Sequence, residues 1–144
     1  MASEPHLVPA EMVRPVRAVF HAELAGLLRD LARMTRLTAQ MMTNASIALH
    51  QIDRALAALV IAEHDQLTVA LVAGERRCVT LLALQAPVAW ELRVVVAVLR
   101  SLSQVQRMGT LARHVAVMAL CKHPNPMAAS EVRPILARMS LLTS

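Results

Sequence analysis

Apolar residues recur at helical spacing through the first third of this chain, and this pattern restricts the fold more than any other sequence feature. Between positions 13 and 49 they follow steps of four and three residues, with one final step of seven. The recurring residues are Phe20, Leu24, Leu27, Leu31, Met34 and Met41. Residues at these steps share one face of an α-helix, whereas the charged residues of the segment lie off that face. The pattern predicts an amphipathic helix of about eight turns.

Two further segments carry the same periodicity, and residues at their ends favour helix boundaries. Asp53 is suited to begin the second helix, because its carboxylate can accept hydrogen bonds from free first-turn amides. This helix continues to about Gln85, and Pro87 fits the first turn of a third helix. The periodic residues of the third helix are Leu92, Val95, Leu99, Leu102, Val105, Met108, Ala112, Val115 and Met118. The sequence HPNPM ends it, and a fourth helix begins near Ser130.

The composition favours a helical core built almost without aromatic rings. Hydrophobic residues make up 56% of the 144 residues, whereas aromatic residues make up 1% and there are three glycines. Leu, Val, Ala and Met must therefore fill the core. We predict an all-α fold, an antiparallel up-down-up three-helix bundle with the start of a fourth helix. The predicted divisions are a flexible leader at 1–12, the bundle at 13–123, and a loop with a short C-terminal helix at 124–144.

The sequence favours a soluble, cytoplasmic chain. No uninterrupted apolar run reaches the ~18–20 residues that a membrane-spanning helix needs. The early acids and prolines do not resemble a secretory signal. The two cysteines, Cys78 and Cys121, lack CxxC spacing and have apolar neighbours, so we expect both to be buried thiols in a reducing compartment.

Positive charge is concentrated in the second half of the chain. The net charge is +5, but from Arg76 onward nine basic residues stand against two acidic ones, which gives +7 there and −2 before it. In the third helix Arg93, Arg100, Arg107 and His114 recur every seven residues, a spacing that aligns them on one face. Such a row is either an ordinary solvated face or a surface for an acidic partner, phosphate or anionic lipid.

Motifs typical of nucleic-acid binding, catalysis and metal binding are missing from the sequence. Charge alone permits DNA binding, but there is no helix-turn-helix signature, no set of stacking aromatics and no zinc-finger spacing. There is no G-x-S-x-G, P-loop or G-x-G-x-x-G motif. The six histidines form no pair three or four residues apart, as a ligand pair on one helix would. We therefore expect a non-enzymatic protein without cofactor or metal, and nucleic acid is not favoured as its partner.

The segment from Cys78 to Arg100, CVTLLALQAPVAWELRVVVAVLR, closely resembles the PhoU family of phosphate-signalling regulators. Members of that family carry LLALQxPVAxDLRxVVxxLR followed by DLERMGDLAxHV. Supporting matches are FHAEL at Phe20 to Leu24 and the VIAEHD region after Asp53. Together these matches cover about residues 13–122.

The resemblance implies a fold, a role and partners. PhoU proteins consist of two similar three-helix bundles in tandem, and they act in the cytoplasm as negative regulators of phosphate uptake and signalling. Their described partners are the ATPase subunit of the phosphate ABC transporter and a sensor histidine kinase, so membrane contact arises through partners. Some members bind multinuclear iron or zinc clusters through an E/D-x-x-x-D motif.

This chain departs from the metal-binding pattern of the family. Gln104, Gln106 and Thr110 stand where the family has three acids, although Glu75 and Glu91 remain. Neutral amides and hydroxyls are poor ligands for hard or borderline cations. We predict that this motif holds no metal.

The remaining features lead to two hypotheses about function. The first is a PhoU-like regulatory adaptor, in which Arg93, Arg100 and Arg107 contact an acidic partner and Glu91 makes a local pairing. The second is a basic helical bundle that associates with nucleic acid or an anionic membrane surface. A single repeat would also expose the face that normally meets its sister, so a homodimer is expected. Gly109 keeps its place in the R-M-G motif, and we expect two helices to approach closely there.

Overall fold

The computed structural model describes residues 10–85 and 89–121, together with Pro134, Ile135 and Arg138. The first two ranges form three helices and no strand: α1 (Ala10–Gln51), α2 (Arg54–Gln85) and α3 (Ala89–Cys121). Each helix packs against the other two. The all-α fold with three helices is therefore confirmed.

The structure describes only part of the predicted leader, bundle and C-terminal segment. Helix α1 begins at Ala10, inside the span 1–12 expected to be a leader, and residues 1–9 lie outside the described part. The predicted first-turn proline of the third helix, Pro87, also lies outside it. Of the short C-terminal helix, Pro134, Ile135 and Arg138 are helical and exposed, and the rest of 124–144 is outside the described residues.

The connection between α1 and α2 is a two-residue turn held by hydrogen bonds of Asp53. The backbone N–H of Asp53 donates to the carbonyl of Ala48 at 3.0 Å, which satisfies one of the free carbonyls at the end of α1. The Asp53 carboxylate accepts from the N–H of Leu56 at 3.0 Å, as expected for an N-cap. Ile52 takes the left-handed conformation, with φ of 57°, at the position where glycine is usual. So short a turn makes α1 and α2 antiparallel.

The core lies along the axis where the three helices meet, and its composition changes along α3. The N-terminal half of α3 buries Val95, Val98, Leu102 and Val105. The C-terminal half buries only small residues: Gly109, Ala112, Ala116 and Ala119. The sequence periodicity assigned Leu92, Met108 and Met118 to the core, but all three are exposed. That expectation was wrong because close helix packing selects small side chains, which leaves the larger ones outside.

Gly109 of α3 packs directly against the side chain of Leu67 in α2. A Cβ atom at this position would lie 2.6 Å from Cδ2 of Leu67, whose side chain is 1% exposed. Farther along the same pair of helices, Gly74 of α2 lies against Leu102 of α3. The expected reason for Gly109, the close approach of two helices, is confirmed. These two contacts also fix α2 and α3 as antiparallel.

Helices α1 and α2 are joined at the surface by an ion-pair network around Arg77. Its guanidinium donates to Asp30 at 2.6 Å and to Glu23 at 3.1 Å. Partial burial lowers the pKa of Arg77, but hydrogen bonds and charges from Glu23 and Asp30 outweigh that effect and raise it. Gly26 leaves room for this side chain, because a Cβ there would lie 3.0 Å from Nη2 of Arg77. The network therefore fixes the register of α1 against α2.

The two cysteines differ in burial, which the sequence did not predict. Cys78 is buried, whereas Cys121, the last residue of α3, is exposed. Burial raises the pKa of the Cys78 thiol, an effect that the nearby charge of Arg77 opposes but does not cancel. Two buried thiols were expected, so the expectation for Cys121 was wrong.

This difference predicts two separate rates of thiol labelling. In folded protein the exposed Cys121 should react quickly with iodoacetamide, and Cys78 should react only when the fold opens. Mass spectrometry of peptides after timed labelling measures both rates, with a sample in urea as the control for reactivity. Equal rates for the two thiols in folded protein would contradict the buried position of Cys78.

Helix α2 is apolar over much of its length. From Arg54 to Ala83 it is long and apolar enough to cross a membrane by length and composition, and its most apolar 18-residue window has a mean hydropathy of 1.5. No uninterrupted apolar run in this helix reaches that length, because the polar residues at 63–66 and 75–77 divide it. In the bundle 22% of that window is buried, and the rest is half-buried or exposed. Length and composition alone do not assign this helix to a membrane, because one of its faces forms part of the core.

Candidate functional site

Three arginines form a row along the outward face of α3. Arg93, Arg100 and Arg107 are exposed, as is His114, and each is seven residues from the next. Seven residues of α-helix rise about 10 Å, so the four groups are evenly spaced along the helix. The buried face of α3 contains other positions, so the row points away from the bundle. We call Arg93, Arg100 and Arg107 the arginine row.

The arginine row has no carboxylate partner among the described residues. Ion pairs within this part of the chain involve Arg33, Arg77, His21 and His64. The Nε–H of Arg93 donates to the backbone carbonyl of Ala89 at 3.3 Å, a contact within its own helix. The outward face of α3 is therefore positive and retains its capacity to bind an anionic group.

An open groove with an apolar floor lies between the first two arginines. Leu92, Val96 and Ala97 line it together with Arg93 and Arg100. Leu92 is among the exposed large hydrophobic residues of α3, as is its neighbour Trp90, which is 54% exposed. Apolar side chains flanked by guanidinium groups suit a partner that offers both apolar residues and carboxylates.

Glu91, which the sequence grouped with these arginines, lies elsewhere. Its side chain is buried, at 4% exposure for the residue, and Oε1 lies 3.0 Å from Nε2 of His21 in α1. The ring of Trp90 lies beside that of His21, with centroids 5.8 Å apart. Glu91 therefore joins α3 to α1 and does not share the surface of the arginine row.

The acids retained from the family's metal motif do not come together. Leu67 faces Gly109 and Gly74 faces Leu102, so Glu75 lies level with about residue 101 of α3. Glu91 is ten residues from that level, or ~15 Å along the helix axis.

The neutral residues of the motif add no suitable ligand. Gln104 and Gln106 are exposed, and the Thr110 hydroxyl donates to the carbonyl of Gln106 at 3.0 Å. In the described ranges no group of three or more His, Cys, Asp or Glu residues is arranged to hold a metal ion. The side chains present at this motif do not fit a metal cluster.

Two polar groups between the helices were not predicted from the sequence. Oε2 of Glu63 and Nδ1 of His64 are buried and have no hydrogen-bond partner among the described residues. The His64 ring lies against Gly109, 3.7 Å from the position of a Cβ atom there. His21, the partner of Glu91, was also missed, although it belongs to the FHAEL segment. Helical periodicity gives no sign of which side chains from different helices will meet.

The fold and the site define a class of protein: a three-helix bundle whose exposed chemistry is a basic, partly apolar helix face. The PhoU domain matches residues 31–119, and the chain belongs to the PhoU family.

Similar proteins come from mycobacteria and enterobacteria. The chain is 37% identical over 124 residues to the "Phosphate-specific transport system accessory protein PhoU homolog 2" of Mycobacterium tuberculosis, which covers 86% of the chain and 58% of that protein. It is 36% identical over 124 residues to PhoU homolog 1 of Mycobacterium leprae, covering 86% of the chain and 56% of that protein. It is 32% identical over 103 residues to the PhoU protein of Serratia marcescens, covering 72% of the chain and 42% of that protein. The chain thus spans roughly half the length of these relatives, and no solved structure matches it.

Proposed function

We propose that this chain is a non-enzymatic negative regulator of phosphate uptake and phosphate signalling. Its relatives are named as accessory proteins of phosphate-specific transport systems, and this supports the role. We place the chain in the cytoplasm, where it would bind the ATPase subunit of a phosphate transporter, a sensor histidine kinase, or both. The observation that carries the proposal is the arginine row on α3, which lacks carboxylate partners among the described residues.

The chemistry of this face suits binding rather than bond making. Guanidinium groups form paired hydrogen bonds with carboxylates, and exposed charges speed the encounter with a partner of opposite sign. The apolar floor at Leu92 and Val96 would supply the buried contact that holds the complex after encounter. Self-association into a homodimer is part of the proposal, and it uses a different surface.

Reversal of two arginines tests the partner surface. The double variant Arg100→Glu/Arg107→Glu should bind the transporter ATPase or the kinase at least tenfold more weakly, which corresponds to about 1.4 kcal/mol or more. The loss should be smaller in high salt, because exposed charges are screened. Isothermal titration calorimetry or surface plasmon resonance with each purified partner measures it.

Helix α1 offers a matched control. Arg29 and Arg36 are also exposed and seven residues apart, and neither has an ion pair among the described residues. Arg29→Glu/Arg36→Glu changes the net charge by the same amount and should leave the affinity nearly unchanged. Equal losses in both double variants would show a general charge effect, and no loss in either would exclude the arginine row.

A second candidate function is association with nucleic acid or an anionic membrane, which the same positive face favours. Against nucleic acid stands the shortage of stacking rings, since Phe20 is buried and Trp90 is the exposed aromatic residue of the described ranges. Titration of duplex DNA and of phosphatidylglycerol vesicles at several salt concentrations separates these functions. Tight binding with a steep salt dependence, lost in Arg100→Glu/Arg107→Glu, would favour the second candidate over the protein partner.

A further inference from the structure

Helix α2 carries a second heptad pattern on the face opposite the core. Its members are separated by steps of four and three residues throughout, and all of them are exposed. They are Ala58, Ala62, Asp65, Val69, Val72, Arg76, Val79 and Ala83. We call this set the outer seam. Steps of four and three are the pattern by which one helix packs against another in a coiled coil.

The outer seam is unusually apolar for a face that lies in solvent. Six of its eight residues are Ala or Val, and Val69 is 72% exposed. An outward helix face in a monomer normally carries charged and polar residues at these positions. The seam spans 26 residues, which is ~38 Å of helix. An apolar strip of this length, interrupted by two charged residues, is typical of a face that another helix covers.

The two charged residues of the seam identify what covers it. Asp65 and Arg76 lie at equal distances from a point between Ala70 and Leu71, one on each side. If two copies of α2 pack antiparallel around that point, Asp65 of each copy lies opposite Arg76 of the other. A parallel pair in register would place like charges together, which is unfavourable.

The apolar residues obey the same symmetry. About the same point, Val69 of one copy lies opposite Val72 of the other, Ala62 opposite Val79, and Ala58 opposite Ala83. In a coiled-coil heptad the two core positions are called a and d. Each facing pair of seam residues therefore joins an a position of one copy to a d position of the other, which is how antiparallel coiled coils pack. A face that complements itself across a two-fold axis is the requirement for a symmetric dimer.

The surroundings of the two charges leave them available for such a pairing. Asp65 has a side chain that is 79% exposed, and the basic side chain nearest to it among the ion pairs of the described ranges is His64, with Nδ1 at 3.8 Å. Arg76 is exposed and has no carboxylate partner among the described residues.

We propose that two copies of this chain form a symmetric dimer through the outer seam of α2, packed antiparallel with Asp65 of each copy paired to Arg76 of the other. This inference rests on the proposed self-association and names its surface. It does not depend on the arginine row, which lies on α3, so the two proposals fail separately. A membrane is the poorer occupant of the seam, because Asp65 and Arg76 would have to enter the hydrocarbon.

Charge reversal and charge exchange test the pairing. Sedimentation equilibrium should find the unmodified chain as a dimer at micromolar concentration. Asp65→Arg and Arg76→Asp should each raise the dissociation constant about tenfold or more, because both symmetric pairs become repulsive. The double exchange Asp65→Arg/Arg76→Asp should restore the dissociation constant to within about threefold of the original. An equimolar mixture of the two single variants should form a heterodimer, since every pair across it is again of opposite sign.

A matched charge control and a disulfide crosslinking experiment test whether the dimer forms through the outer seam. Arg36→Asp on α1 changes the charge as Arg76→Asp does, and it should leave the dimer intact. In a Cys121→Ser background, a mixture of Val69→Cys and Val72→Cys chains should form a disulfide between copies under mild oxidation, because these positions face each other.

Several results would overturn the proposal. They are a monomer at all concentrations, a dimer indifferent to both reversals, a double exchange as weak as the single variants, or disulfides that form only between identical Val69→Cys copies. Insertion of the unmodified chain into neutral phosphatidylcholine vesicles would also overturn it. If the chain is a monomer and still binds its partner through α3, the regulatory proposal stands and the dimer alone fails.

Discussion

Replacement of Gly109 by valine is expected to lower the free energy of unfolding by about 2–3 kcal/mol. A Cβ atom there would lie 2.6 Å from Cδ2 of Leu67, and the two further methyl groups of valine enlarge the conflict. Leu67 lies in the core at 1% exposure, so it has little room to move. Urea unfolding followed by circular dichroism measures the change.

A double-mutant cycle with Leu67 isolates the contact. Leu67→Ala alone should cost about 3 kcal/mol, because it removes buried apolar volume. Gly109→Val/Leu67→Ala should be more stable than the sum of the two single effects by at least about 1 kcal/mol, since the valine occupies the space that Leu67 leaves. Ala97→Val, at an exposed position of the same helix, is the control and should cost about 0.5 kcal/mol. Strict additivity of the two core substitutions would contradict the close packing of Leu67 against Gly109.

Replacement of His21 by alanine is expected to cost about 2 kcal/mol. The change removes a hydrogen bond at 3.0 Å to the buried carboxylate of Glu91 and the ring contact with Trp90. Glu91→Gln should cost less, about 1 kcal/mol, because an amide can still pair with the imidazole. His21→Ala/Glu91→Leu should be less destabilised than the sum of its parts, since the carboxylate is removed together with its partner.

Two further variants serve as a control for the His21–Glu91 pair and as a test of its effect on partner binding. His114→Ala removes an exposed histidine of α3 and should change the free energy of unfolding by less than about 0.5 kcal/mol. Glu91→Gln should leave partner affinity unchanged at temperatures where the variant is folded, because Glu91 lies away from the arginine row. A loss of affinity as large as that of Arg100→Glu/Arg107→Glu would contradict this assignment.

The local part of the fold could be predicted from the sequence because it depends on neighbours along the chain. The helical spacing of Phe20, Leu24 and Leu27 predicts α1, and each of these residues is buried. Asp53 caps α2 through a hydrogen bond to a residue three positions away, so its role is visible in a short segment. The alignment of Arg93, Arg100 and Arg107 likewise follows from helix geometry alone.

The parts that could not be predicted depend on contacts between helices. The periodicity of α3 offered Met108 and Met118 to the core, yet Gly109, Ala116 and Ala119 are buried instead, because α3 packs closely there and small side chains fit. The position of Glu91 could not be predicted either, because its carboxylate meets His21 of another helix.

By itself the sequence determined that this chain forms three helices, where α2 starts, which family it belongs to and which arginines share a face. These properties follow from the period of the helix and from motifs of residues that are consecutive in the chain. Only the tertiary structure decided which residues of α3 lie inside, that Glu91 and His21 meet, that Cys121 is exposed, and that the apolar outer seam of α2 faces away from the core. The physical reason is that a helix has several faces that can be buried, and the separation and register of the packed helices select among them.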